Sequence, residues 1–101
     1  MRAAIWQSTT GIDAAENAVM LVDAVARAGH AGADMLFTPE MVGYLDRDRA
    51  RAAQNLRSER EDVVLAAARN AAAKHGIWVH IGSLGLRDER SDGRWVNRSF
   101  M

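Results

Sequence analysis

The sequence predicts an α/β fold, a mixed sheet with helices laid on one face. Three observations carry this. The short apolar runs Ala3–Trp6, Met35–Phe37 and Ile77–Ile81 are each bounded by polar or glycine-containing segments and read as strands. Between them lie two longer segments that open on capping signatures and carry apolar residues at helical spacing. A polar turn from Arg87 to Arg94 contains Asp92-Gly93, a strong hairpin signal, so the last strand is expected to run antiparallel to the third.

Taken in order, Ala3-Ala4-Ile5-Trp6 is apolar throughout, which suits a central strand buried on both faces. Gln7 to Gly11 breaks it with loop chemistry. Asp13 with Glu16 forms a capping box, and Ala15, Ala18, Val19, Val22, Val25 and Ala26 recur at helical spacing to give one apolar face. Gly29 and Gly32 end that helix. The strand at Leu36 follows and completes a strand–helix–strand unit with a right-handed crossover expected. Pro39 lacks a backbone N–H and biases Thr38 towards an extended conformation, so the strand ends there. Glu40 therefore falls at the carboxyl end of a strand, where open α/β sheets gather ligands.

From Asp46 to Arg57 the charges alternate in sign, and Ala50, Ala53 and Gln54 suit a short exposed helix on a solvated face. Ser58-Glu59-Arg60-Glu61 is a capping box of the standard kind, predicting a helix with Val64, Ala67, Ala68 and Ala71 on one side. His75-Gly76 closes it, with glycine suited to a left-handed position. Ile77 to Ser83 reads as the third strand, and Trp95 to Met101 begins a fourth.

Composition narrows the function classes. At 49% apolar and 26% charged, the 101 residues suit one small globular domain or a piece of a larger one. Thirteen basic residues balance thirteen acidic ones, so electrostatics gives no reason to expect a nucleic-acid partner. Twelve of the basic residues are arginine, leaving Lys74 the lone lysine. The absence of cysteine excludes disulfides, thiolate metal sites and a cysteine nucleophile within these residues. The amino terminus has no long apolar core of a signal peptide, and no apolar run is long enough to cross a bilayer. A cytoplasmic location is the default expectation, with no membrane partner.

Several of these features together resemble a known family. Ile5-Trp6-Gln7 in the first strand, Leu36-Phe37-Thr38-Pro39-Glu40 after the first helix, Ile81-Gly82-Ser83 in the third strand and Val96-Asn97 in the fourth occur in the order seen in the nitrilase superfamily of carbon–nitrogen hydrolases. The compact amidase-like branch, which includes the omega-amidases, is the nearest in spacing. The resemblance implies that residues 1–101 form the amino-terminal part of an α-β-β-α sandwich. It further implies hydrolysis of a small amide or nitrile through a Glu-Lys-Cys triad, with ammonia released, no cofactor, and a homo-oligomer when complete. Glu40 is the residue that corresponds to the general base. The family's lysine and cysteine lie beyond the fourth strand, so this chain alone is expected to be inactive and to leave apolar sheet surface uncovered. Lys74 is no substitute, because it sits in the last turn of a helix, where a cation complements the carbonyl ends.

Other residues divide between functional and structural expectations. Tyr44 is a candidate for lining a substrate pocket or for packing beside the loop. His80 alternates with Trp78 and reads as a packed histidine, while His30 and His75 suit helix ends. Three scattered histidines without cysteine make no metal site. Asn97 either bonds backbone near the site or simply starts a strand. Gly82-Ser83-Leu84-Gly85 lacks the lysine of a phosphate loop, and Gly29–Gly32 follows a helix, so neither forms a nucleotide fingerprint. The alternative to the hydrolase is a small α/β binding or regulatory module without chemistry. A flavodoxin-like binder would need a parallel fourth strand.

Overall fold

Asp13 ends the loop after the first strand by accepting hydrogen bonds from the backbone N–H groups of Ala15 and Glu16 at 3.0 and 3.2 Å. The helix it starts runs over Ala14–His30 (α1), so Gly29 lies inside the last turn. Gly32, at φ +83°, makes the reversal into the next strand. These features come from a computed structural model of the chain that describes residues 1–90 and 94–101. The Asp92-Gly93 turn signal lies outside the described residues.

The elements follow as β1 (Ala3–Ile5), α1, β2 (Met35–Phe37), α2 (Arg49–Asn55), α3 (Val63–His75), β3 (Trp78–Arg87) and β4 (Trp95–Phe100). The sheet order is β1-β2-β3-β4, with β1, β2 and β3 parallel and β4 antiparallel to β3. This is the mixed sheet expected from sequence. α1 and α3 lie side by side, and their last residues, His30 and His75, meet edge to face at 5.9 Å between rings. One core unites Leu21, Val25 and Ala28 of α1 with Val64, Leu65 and Ala68 of α3 and with Leu36, Val79 and Ile81 of the sheet.

Three expectations are corrected. β1 is an edge strand of this sheet, and Ile5 is 81% exposed. α1 buries Asn17, Leu21, Ala24, Val25 and Ala28, while Val19 and Val22 face outward. The helix is rich in alanine and valine on every side, so more than one stripe fits the period, and the buried one contains a polar residue. The helix α3 begins four residues later than the serine signature suggested: Asp62 is its cap, accepting from Leu65 N–H at 2.8 Å. Ser58 to Glu61 forms a preceding turn, closed by Glu61 N–H donating to the Ser58 carbonyl. Burial holds the Asp62 carboxyl above its usual range, against the pull of the backbone bonds to Leu65 and Val64. Gly76 closes α3 at φ +64°, as its sequence position suggested.

Strand β3 contains an irregularity that the strand–strand register makes plain. Ile81 pairs with Phe100 and Leu84 with Arg98, so β3 has one more residue than β4 across this interval. That is a β-bulge at Gly82-Ser83. It exchanges the faces of the strand: Val79 and Ile81 are buried before it, Leu84 and Leu86 after it. Without the extra residue, one of these pairs would point away from the helices.

The sheet face opposite α1 and α3 carries Ile5, Phe37, Trp78 and His80. Trp78 is 62% exposed there, and the Phe37 and His80 rings meet at 5.5 Å with their planes tilted by 44°. A parallel sheet is normally covered on both faces. The isolated chain is therefore expected to bind a hydrophobic dye and to self-associate, and Trp78→Lys should reduce both. A dye-silent monomer across micromolar concentrations would contradict this.

Candidate functional site

The region around Glu40 is built where β2 meets the bulge. Thr38 N–H still donates to the His80 carbonyl at 3.0 Å, the last step of the parallel ladder. Its hydroxyl then accepts from Gly82 N–H at 3.2 Å. At Gly82 the two backbones come so close that a Cβ would stand 2.6 Å from the carbonyl carbon and oxygen of Pro39 and from the Thr38 oxygen. Only glycine permits this approach. The Gly82 carbonyl, on the other side, accepts from the Ser99 hydroxyl at 2.6 Å.

Ser83 completes the clamp. Its hydroxyl accepts from Met41 N–H at 2.9 Å, and its carbonyl accepts from Val42 N–H at 3.3 Å. Between Pro39 and these two bonds the chain turns sharply, and Met41 takes φ +51°. That conformation costs a non-glycine residue about 1–2 kcal/mol, and the Ser83 bonds offset it. Glu40 stands at the head of this turn, exposed, with no hydrogen-bond partner among the described residues. Its backbone is fixed on both sides and its carboxylate is open.

The following residues are anchored to two helices. Asn17, on α1, donates from Nδ2 to the carbonyls of Gly11 and Gly43, each at 2.9 Å, and accepts from Gly11 N–H at 3.1 Å. Leu45 N–H donates to the same Gly11 carbonyl. Tyr44 is buried with Ala52 and Leu56. Its hydroxyl donates to Asp46 at 2.8 Å and accepts from Asn55 at 3.2 Å. Arg51 grips Asp46 with two nitrogens, the second at 2.8 Å. The Asp46 side chain is 1% exposed while Arg51 stays half exposed, so the charged stretch expected to be a solvated face contains one sequestered carboxylate. The Arg51 guanidinium holds the Asp46 carboxyl well below the usual carboxylate range. Burial raises the Tyr44 phenol, and the Asp46 hydrogen bond adds to the rise.

The two sequence candidates thus share one loop but not one surface. Tyr44 lines a groove of about 490 Å³ with Ile12, Asp13, Ala14, Asn55, Arg57 and Val63, and Glu40 is not in its wall. Lys74 lies in the last turn of α3, as expected. Asn97 is an exposed residue of β4, paired with Gly85. Among the described residues no group of His, Asp and Glu could hold a metal ion, and no helix is long and apolar enough to cross a membrane. Sequence reasoning missed Asn17, Ser83 and Asp46 as loop anchors. A glycine inside a strand pattern was the one available signal for the bulge.

Two outcomes follow. Gly82→Ala should destabilise the chain by about 1–3 kcal/mol, seen as a lower urea midpoint with unchanged slope, because the contact is with backbone. Asp46 has a depressed folded-state pKa, so its contribution is present above the unfolded value and fades as pH falls below about 4. Asp46→Asn should therefore lose less stability than the parent between neutral and acid pH, measured by thermal unfolding across that range.

Comparisons with known proteins now place the arrangement. The family model for carbon-nitrogen hydrolases matches residues 2–100. An amidase from Nesterenkonia sp. superposes with a TM-score of 0.70 at 31% identity, covering 84% of this chain and 32% of that one. A double mutant of that amidase in complex with acrylamide gives 0.70 at 30% identity, with coverages of 84% and 32%. The NitFhit protein of C. elegans shares the fold at a TM-score of 0.74 and 22% identity, covering 96% of this chain and 27% of that one. No curated protein matches the chain significantly. The chain spans about a third of the length of the amidases it matches. With its strand order, its Pro-Glu turn and the match over residues 2–100, the chain belongs to the carbon-nitrogen hydrolase family of the nitrilase superfamily.

Proposed function

We propose that this chain is the base-bearing amino-terminal portion of a hydrolase that cleaves a non-peptide carbon–nitrogen bond in a small amide or nitrile. The observation that supports this best is the presentation of Glu40: an unpartnered carboxylate on a turn held rigidly by Gly82 and Ser83 at the carboxyl end of β2. A general base must be positioned before it meets its proton donor, and an open carboxylate on a fixed backbone meets that need.

In this reading a cysteine thiol, supplied by residues outside these 101, gives its proton to Glu40. The thiolate attacks the substrate carbon, and a lysine ammonium, also supplied from elsewhere, steadies the negative charge that forms. For an amide, the proton on Glu40 passes to the departing nitrogen, and ammonia leaves. Glu40 then takes a proton from water as the water attacks the thioester, and the acid is released with the thiol restored. No cofactor enters these steps. Tyr44, whose hydroxyl is already committed to Asp46 and Asn55, would present its ring rather than a hydrogen bond to a substrate. The uncovered sheet face would receive the second sheet of the α-β-β-α sandwich.

Because a mutant of the Nesterenkonia amidase holds acrylamide, small primary amides are the first substrates to offer. The 101 residues alone should release no ammonia from them. The source DNA beyond the codon for Met101 should encode a lysine and then a cysteine in frame. In the protein so encoded, Glu40→Gln should lower kcat by at least about a hundredfold with KM little changed. A stop codon in that frame would overturn the proposal in favour of a binding module, and an active Glu40→Gln protein would overturn the assignment of Glu40 as the base.

A further inference from the structure

Asn17 is a polar side chain in the middle of the apolar stripe of α1, 2% exposed, and every bond it makes runs to loop backbone. Both Nδ2 hydrogens are used, one on the Gly11 carbonyl and one on the Gly43 carbonyl, while Oδ1 accepts from Gly11 N–H. The amide cannot be turned over: the reverse orientation would set its oxygen against two carbonyls and its NH₂ against an N–H. Gly11 belongs to the loop after β1 and Gly43 to the loop after β2. Leu45 N–H also donates to the Gly11 carbonyl, so the two loops are joined directly as well as through Asn17.

Val42 of the segment that carries Glu40 packs in the same core as Leu21 and Val25 of α1, and among the described residues the hydrogen bond from α1 to that segment is the one from Asn17 to Gly43. Ser83 fixes its first half, at Met41 and Val42, from β3. Asp46 and Asn55 fix its far end, at Tyr44, from the region of α2. Gly43 lies between them, and its carbonyl is held by Asn17. Gly43 is also a close-packed point, since a Cβ there would stand 2.7 Å from the Leu84 side chain. The Leu84 side chain limits how far the loop can sink at this residue, and the Asn17 bond to the Gly43 carbonyl holds it from the helix side.

We propose that Asn17 is a positioning residue for Glu40, setting the height of the Glu40 loop over the sheet by joining it to the loop after β1. The proposal rests on Glu40 being the functional residue, but its test does not need activity. The test is amide hydrogen exchange, read by NMR, on the 101-residue chain and its Asn17→Ala variant, both carrying Trp78→Lys to limit self-association through the open sheet face. The expected result is exchange faster by roughly tenfold or more at Met41, Val42 and Leu45, with Leu65 and Ile81 within about twofold of the parent. The Glu40 side-chain carboxyl resonance should shift while that of Glu59 stays in place. Asn17→Asp keeps the volume and the acceptor for Gly11 N–H but withdraws both donors, and it should give the same local pattern.

Uniform acceleration across loop and core would overturn the proposal, because Asn17 would then support the domain and not the loop. Unprotected Met41, Val42 and Leu45 in the parent would overturn it, as would failure of both variants to fold. An unchanged loop would do the same. Retained activity in a complete Glu40→Gln protein would remove the base role and leave the exchange result standing, so the two failures are distinguishable.

Discussion

The contact on which the rest of this structure depends is the backbone approach at Gly82. There the chain after β2 lies directly on β3, with no side chain between. Everything that makes the Glu40 turn definite follows from that closeness. Thr38 Oγ reaches Gly82 N–H, Ser83 Oγ reaches Met41 N–H, and Met41 is held in a conformation it would not choose alone. A bulky residue at 82 would move the turn away and break all three at once. The bulge supplies the second requirement, since an unpaired residue in a strand is free to aim its polar groups sideways.

The site has an uneven construction. Its backbone is over-determined, with anchors from β3, from α1 and from the region of α2. Its side-chain chemistry is sparse: one open carboxylate, no cysteine, and a lone lysine at the end of a distant helix. The buried polar groups of this region, Asn17, the Tyr44 hydroxyl and the Asp46 carboxylate, are satisfied by backbone, by one another or by the half-exposed Arg51, and hold loops in place. Rigid support and reactive groups thus come from different stretches of sequence.

How much of this could be read from the sequence depends on which force dominates each element. The strands at Met35 and Trp78 and the glycine stop at 76 were legible because local rules and tertiary packing agree there. The Pro39-Glu40 turn was legible as a strand end because proline removes a donor. α1 was misread around its axis because alanine and valine occupy nearly all its faces, and the deciding residue, Asn17, looks like a surface residue until its loop partners are known. Ser58 and Asp62 are both good caps by residue type, and the helix starts at the one that buries Val64 and Leu65 in its first turn. β1 looked central because it is apolar, yet its neighbour on one side is lacking in this sheet. The anchors of the Glu40 loop were illegible for a common reason: each bonds across a large separation in the chain, and no local pattern encodes such a partner.

The parity change in β3 has an implication for how this sequence can drift over generations. Val79 and Ile81 are counted from one end of the strand, Leu84 and Leu86 from the other, and the two counts disagree by one residue. Substitutions along β3 are judged singly, each against its own neighbours. Insertions and deletions are judged by arithmetic: losing one residue anywhere between Ile81 and Leu84 brings the counts into step and turns the strand's second half over. In this short interval the number of residues is constrained as tightly as the glycine at 82.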